Sequence, residues 1–239
     1  MRKISVKVEH MKLIKINAQN IDRMLAQHDA DGGNEINESL GKLFASLSDE
    51  ENKNEVSIKV AALNQLYSTS IQYIKPVVTK IVSEIKKNHS ELGREGYLNL
   101  VDRISSVEWV SETTGKHHKR KNLSFASKYV HFLSERYTPI YDSYIWLVIV
   151  AYLKEKNMKI NLSSPGSYSE FYRNFSKFKE SYNLESYSNY QIDKFLWQYG
   201  KNILSEIMES EEVNLDKAKS IFKKRITRRS SKDALTRVA

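Results

Sequence analysis

The stretch Asn122–Trp146, NLSFASKYVHFLSERYTPIYDSYIW, constrains the fold more than any other part of the chain. On a helix turning about 100° per residue, Phe125, Ala126, Tyr129, Val130, Phe132 and Leu133 form one broad apolar arc. Tyr137-Thr138-Pro139 breaks that pattern. A second helix is expected over about 140–156, through Trp146, Leu147, Val150 and Tyr152, with Pro139 just ahead of its first turn. The chain has only 8 Gly and 3 Pro in 239 residues. A sandwich or barrel needs more of both for its turns, so the fold class is predicted to be mainly α.

Other segments repeat the helical period. Val60, Leu63, Leu66, Tyr67, Ile71, Ile74 and Val78 mark one face of a long run interrupted by Pro76, which predicts two helices over about 56–72 and 75–87. Further helices are expected over 35–48, 97–110, 167–181 and 189–211, with a helical turn at Asn20–Gln27. From Asn214 a helix runs into a basic tail. Lys3, Ser5 and Lys7 alternate with Ile4, Val6 and Val8, a strand period that Leu13, Ile14 and Ile16 weakly extend, so a short N-terminal β-hairpin is possible. Asp29–Asn34 reads as a plain loop; a calcium loop would need a glutamate where Leu40 stands. Ser111–Asn122 reads as a polar loop with a basic centre. The organisation expected is an N-terminal segment (1–55), a helical core (56–212) and a basic C-terminal helix or tail (213–239).

Cysteine is absent, which excludes disulfides, thiolate zinc sites, iron–sulfur clusters and cysteine nucleophiles, and suits a reducing cytoplasm. No metal and no cofactor is expected. The most apolar run, Ile145–Leu153, is far shorter than the roughly 20 residues a bilayer needs, so no membrane partner is expected. The net charge of +9 points to a polyanionic partner, most simply nucleic acid, with DNA favoured. The residues expected to meet its phosphates are Lys116, Lys119, Arg120 and Lys121 in the loop, and Lys223, Lys224, Arg225, Arg228 and Arg229 in the tail.

Two residues of the organising stretch can carry chemistry. Lys128 lies at the border of the apolar arc beside Phe132. Helix geometry alone makes it a snorkelling lysine, and makes Asp142 an N-cap of the following helix. A desolvated lysine, however, has a lowered pKa and offers a neutral, nucleophilic amine. Lys128, followed by Pro139 and Asp142 in P-x-x-D-S, resembles the lysine–aspartate arrangement of the helix–hairpin–helix DNA glycosylases, in particular the 8-oxoguanine glycosylase-like branch. Leu63–Ile71 and Ile192–Trp197 are similar to an upstream and a downstream helix of that group, so the resemblance spans roughly residues 56–205.

The resemblance implies that Lys128 attacks the sugar C1′ of an extruded nucleotide and forms a Schiff base, with Asp142 stabilising the cationic sugar. His131, Trp109, Tyr129 and Trp197 are the candidate pocket residues. The glycines of the family's hairpin have no counterpart after Gly115, which leaves phosphate contact to the basic loop. Two other readings remain: a related fold acting on another nucleobase or nucleotide in antiviral, phage-linked defence, and a non-catalytic basic nucleic-acid-binding helical protein.

Overall fold

The computed structural model describes residues 13–88 and 93–235, with the side chains of 88 and 228–235 outside that description. The predicted strand at residues 2–8 lies outside the described residues. Within them the chain is mainly helical, with one small two-stranded antiparallel sheet. In chain order the elements are α1 (Ala18–Ala30), α2 (Gly33–Ser46), α3 (Lys53–Leu66), α4 (Ile74–Asn88), α5 (Arg94–Ser105), β1 (Ser106–Val110), β2 (His117–Lys121), α6 (Leu123–Leu133), α7 (Ser143–Glu155), α8 (Tyr168–Ser181), α9 (Asn189–Ser210) and α10 (Leu215–Leu235).

α7 is apolar on every side, and every residue from Ile145 to Leu153 is buried. A helix of that kind must be surrounded, and α8, α9 and α10 pack around it. Each fully buried large apolar side chain contributes roughly 1.5–3 kcal/mol. The approach of α9 to α7 is close at Gly200, where an added Cβ would lie 3.0 Å from Tyr144 Cβ and 3.2 Å from Val148 Cγ2. α6 packs against α5, α3 and α2, while α1 lies along α9. One apolar core runs from Leu13 to Ile226. No described helix is long and apolar enough to cross a membrane.

Side-chain caps fix several helix starts. Asn17, Asn52, Asp142, Ser167 and Ser188 each accept a backbone N–H at the start of α1, α3, α7, α8 and α9, and Ser188 with Gln191 forms a full capping box. Such caps contribute about 1 kcal/mol each.

Three expectations need correction. The helix predicted to reach residue 110 ends at Ser105, and Ser106–Val110 is a strand. It pairs with His117–Lys121, inside the segment predicted as a loop, in the register Val107↔Arg120, Glu108↔Lys119 and Trp109↔His118. The cause is pairing across the turn. Glu108 binds Lys119 at 2.5 Å and Trp109 stacks on His118 with centroids 5.0 Å apart. Such cross-strand contacts are invisible in either strand read alone. Second, the break before α4 comes at residues 67–73, ahead of Pro76. That proline falls in the first turn of α4, where a missing N–H costs nothing. Third, Leu13–Ile16 is extended but forms no strand. Tyr199 Oη accepts the Ile14 N–H at 2.9 Å and Tyr152 Oη donates to the Ile14 carbonyl at 2.9 Å, so two tyrosines take the place of a partner strand.

Candidate functional site

A cavity of about 300 Å³ lies where α1, α2, α6, α7 and α9 converge with the loop after α3. Its chemistry begins with the break between α6 and α7, residues 134–142. This stretch of irregular backbone is largely buried, so its polar groups need partners from side chains. The structure supplies them from several elements. Asp193 on α9 accepts the Ile140 N–H at 2.8 Å, and Ser127 on α6 accepts that of Tyr141 at 3.0 Å. Asn189 donates to the Tyr137 carbonyl at 2.7 Å, and the Tyr168 hydroxyl donates to that of Pro139. The break is thereby fixed, and with it the position of Asp142.

Asp142 Oδ1 accepts the Tyr144 N–H at 2.8 Å and caps α7, while Oδ2 lies 3.6 Å from Lys128 Nζ. Capping and facing the lysine are therefore performed by different oxygens of one carboxylate. Lys128 is only 4% exposed. It does not snorkel over Phe132, because α2, α3 and α9 cover the flank that a lone helix would leave in water. Its Nζ donates to Ser124 Oγ at 2.6 Å and lies 5.5 Å from the centre of the Tyr67 ring. Burial lowers the Lys128 pKa, and the Asp142 carboxylate offsets part of that shift.

Asp193 also lines the cavity. Burial raises its pKa well above the usual carboxylate value, opposed in part by the Ile140 N–H and the charges of Lys179 and Lys128. Its Oδ1 has no hydrogen-bond partner among the described residues. The remaining walls are aromatic, amide and aliphatic, the last from Ile36, Leu66, Ile140 and Ile145. Tyr67 donates to Asn37 Oδ1 at 2.6 Å, which fixes its ring. Trp197 meets the buried His28 edge-on at 5.7 Å. Tyr190 lies under Lys194, whose Nζ is 5.0 Å from the ring centre and 2.7 Å from Asp29 Oδ1.

Of the residues singled out in the sequence, Lys128, Asp142 and Trp197 line this cavity. His131, Tyr129 and Trp109 lie elsewhere. His131 is fully buried below the break, with Nδ1 2.7 Å from the Thr138 carbonyl oxygen and 4.0 Å from Asp193 Oδ2. Burial lowers its pKa to about 4, leaving it neutral. Tyr129 points away from the cavity and donates to Glu50 Oε2 at 2.5 Å. Trp109 is on the hairpin.

The basic residues divide as well. Lys116, Lys119, Arg120 and Lys121 are exposed on the hairpin; Arg120 donates to Gln72 Oε1 at 3.1 Å and Lys121 to the Gly166 carbonyl. Lys223 and Lys224 are exposed on α10, whereas Arg225 is tied to Glu211 at 2.8 Å. The side chains of Arg228 and Arg229 lie outside the described residues. Among the described residues no group of three His, Asp or Glu side chains is placed to hold a metal.

Sequence reasoning missed Tyr67, Tyr190, Asp193 and Lys194. One signal was available. Tyr190, Asp193 and Trp197 stand at i, i+3 and i+7, which places a carboxyl group between two aromatics on one stripe of α9.

No curated protein and no solved structure matches the chain. Residues 16–137 match a family model named HI_0787_N and described as an N-terminal domain, a description that states no activity. The matched segment contains Lys128 and ends inside the break that positions Asp142. It covers just over half of the chain, which therefore belongs to the HI_0787_N family.

Proposed function

We propose that the cavity receives a base extruded from nucleic acid, DNA in the first instance, and that the protein is a glycosylase/lyase-like enzyme acting through Lys128. The observation that carries this reading is the placement of Lys128 Nζ 3.6 Å from Asp142 Oδ2 on the wall of one cavity of about 300 Å³. That volume suits a single nucleobase with part of its sugar. Trp197, Tyr190 and Tyr67 offer aromatic faces to it. The lowered pKa of Lys128 favours the neutral amine that a nucleophile requires.

The reaction balances as follows. The Nζ lone pair forms a bond to C1′ of the extruded nucleotide. The N-glycosidic bond breaks, its electrons leave with the base, and the base takes up a proton. The amine gives up one proton, the C1′–O4′ bond breaks with its electron pair on O4′, which takes up a proton to become a hydroxyl, and C1′ is left as an iminium to Nζ. Loss of a C2′ proton then expels the 3′ phosphate and cleaves the strand. Asp142, fixed as a carboxylate at the α7 N-terminus, stabilises the cationic sugar as the glycosidic bond lengthens.

The test is base release from a panel of duplexes with different modified bases, followed by chromatography of the free base. Asp142→Asn keeps the cap but removes the charge. It is expected to slow release by about a hundredfold or more. Equal rates for this variant and the wild type would remove Asp142 from the reaction.

A further inference from the structure

A second feature of the fold lies beside the cavity and takes no part in the chemistry above. The loop 67–73 has the cavity at one end and the hairpin at the other. Tyr67 and Ser68 line the cavity, whereas Gln72 and Tyr73 line a separate groove of about 680 Å³ between α4 and β1. The loop is held in one shape. Asn64 Oδ1 accepts from Thr69 Oγ1 and from the Ile71 N–H, both at 2.8 Å, and Asn64 Nδ2 donates to the Ile71 carbonyl at 3.0 Å.

The groove displays aromatic surface to solvent. Tyr73 is 58% exposed and Val110 53% exposed, and the two lie side by side on this groove. The Tyr73 ring lies 5.5 Å from that of Trp109, and Trp109 stacks on His118 at an interplanar angle of 14°. Three rings thus form a short stepped platform. The charge around it has one sign in excess. Residues 106–121 carry four Lys or Arg and two Glu. Glu108 is held by Lys119 and Glu112 by Lys75, while Arg120 donates to the neutral Gln72.

An exposed Tyr73 ring backed by the half-buried Trp109, beside an excess of basic side chains, has the composition of a single-strand nucleic-acid platform. Every base can stack on a ring, and the phosphates meet the cations. We propose that Tyr73 and Trp109, with Lys116 and Arg120 at their edge, bind an unpaired segment of nucleic acid by stacking, and that loop 67–73 joins this segment to the base in the cavity. The proposal rests on the nucleic-acid reading of the cavity and adds a strand-binding site that has no part in bond breaking.

The experiment measures fluorescence anisotropy of labelled oligothymidylate and oligouridylate with the full-length protein, as wild type, Tyr73→Ala and Tyr73→Phe. Tyr73 is exposed, so its truncation leaves the core intact, and circular dichroism checks this. Tyr73→Ala is expected to weaken binding about tenfold, the loss of one stacked base. Tyr73→Phe, which keeps the ring, is expected to bind as the wild type does. Tighter binding of one oligonucleotide assigns the platform to DNA or to RNA. Absence of wild-type binding to both, or equal affinity of Tyr73→Ala and wild type, overturns the proposal. If Tyr73→Ala binds normally while Lys128→Gln abolishes base release, the platform is excluded and the cavity reading stands.

Discussion

Lys128, Asp142 and Asp193 show how burial sorts titratable groups. Lys128 has a carboxylate 3.6 Å away and its pKa is still lowered, because desolvation outweighs that attraction. Asp193 is raised by the same desolvation. The site thus combines an amine whose pKa burial lowers with a carboxyl group whose pKa burial raises, and environments that push two pKa values in opposite directions are common at catalytic centres.

The raised value also has a stability consequence. Above the ordinary carboxylate value of 3.8 the unfolded chain releases the Asp193 proton while the folded chain retains it. Stability from this group is therefore complete below pH 3.8 and is lost as pH rises through the higher folded value. Asp193→Asn keeps an acceptor for the Ile140 N–H and cannot ionise. It is expected to be more stable than the wild type at neutral pH by at least about 1 kcal/mol, or about 2–4 °C in Tm. The gap should close as pH falls towards 4. His131 works in the opposite sense, losing stability as pH falls from 6.5 towards about 4. It is common to both proteins, so it cancels from the difference. A thermal-melt series across pH checks this, and a variant less stable at neutral pH would refute the assignment of a protonated Asp193.

At the scale of elements, the helices were largely legible because each carries its own period. α8 and α9 begin and end within a residue or so of their expected limits, their starts fixed by Ser167 and Ser188. β1 and β2 were not legible, since what defines them is a contact between two segments. Loop 67–73 was missed for a related reason. Pro76 supplied a visible break signal, yet the break is made by Asn64, a polar residue inside a helical pattern whose hydrogen bonds reach forward to Thr69 and Ile71. Asn64→Ala removes three hydrogen bonds and is expected to cost about 1–3 kcal/mol. It should also speed amide exchange at Ile71 far more than in α7. Unchanged exchange at Ile71 would show that the loop holds its shape without Asn64.

At the scale of the whole molecule, the fold serves the cavity by surrounding one apolar helix. α7 is enclosed, its N-cap Asp142 emerges at the cavity wall, and α6 presents Lys128 from the other side of the buried break. Lys128 and Asp142 could be picked out from the sequence because both lie within one continuous stretch. The rest of the wall could not be assembled in the same way: Tyr190, Asp193 and Trp197 share a stripe of α9, but Tyr67 and His28 come from the loop after α3 and from α1, segments far apart in the chain. His131 and Tyr129 share a helix with Lys128, but they point into the core, where His131 Nδ1 meets the Thr138 carbonyl and the Tyr129 hydroxyl donates to Glu50. Helical spacing gives the face of a residue on its own helix and not which neighbour covers that face.

In the proposed reaction the Lys128 amine becomes covalently joined to a sugar during turnover. Borohydride reduces an iminium to a stable amine, so the most direct measurement is to incubate the protein with modified-base oligonucleotides, add borohydride and map any adduct by peptide mass spectrometry. The account predicts an adduct on the peptide that carries Lys128, absent from Lys128→Gln. An adduct that persists in Lys128→Gln, or no adduct with a substrate whose base is released, would contradict it.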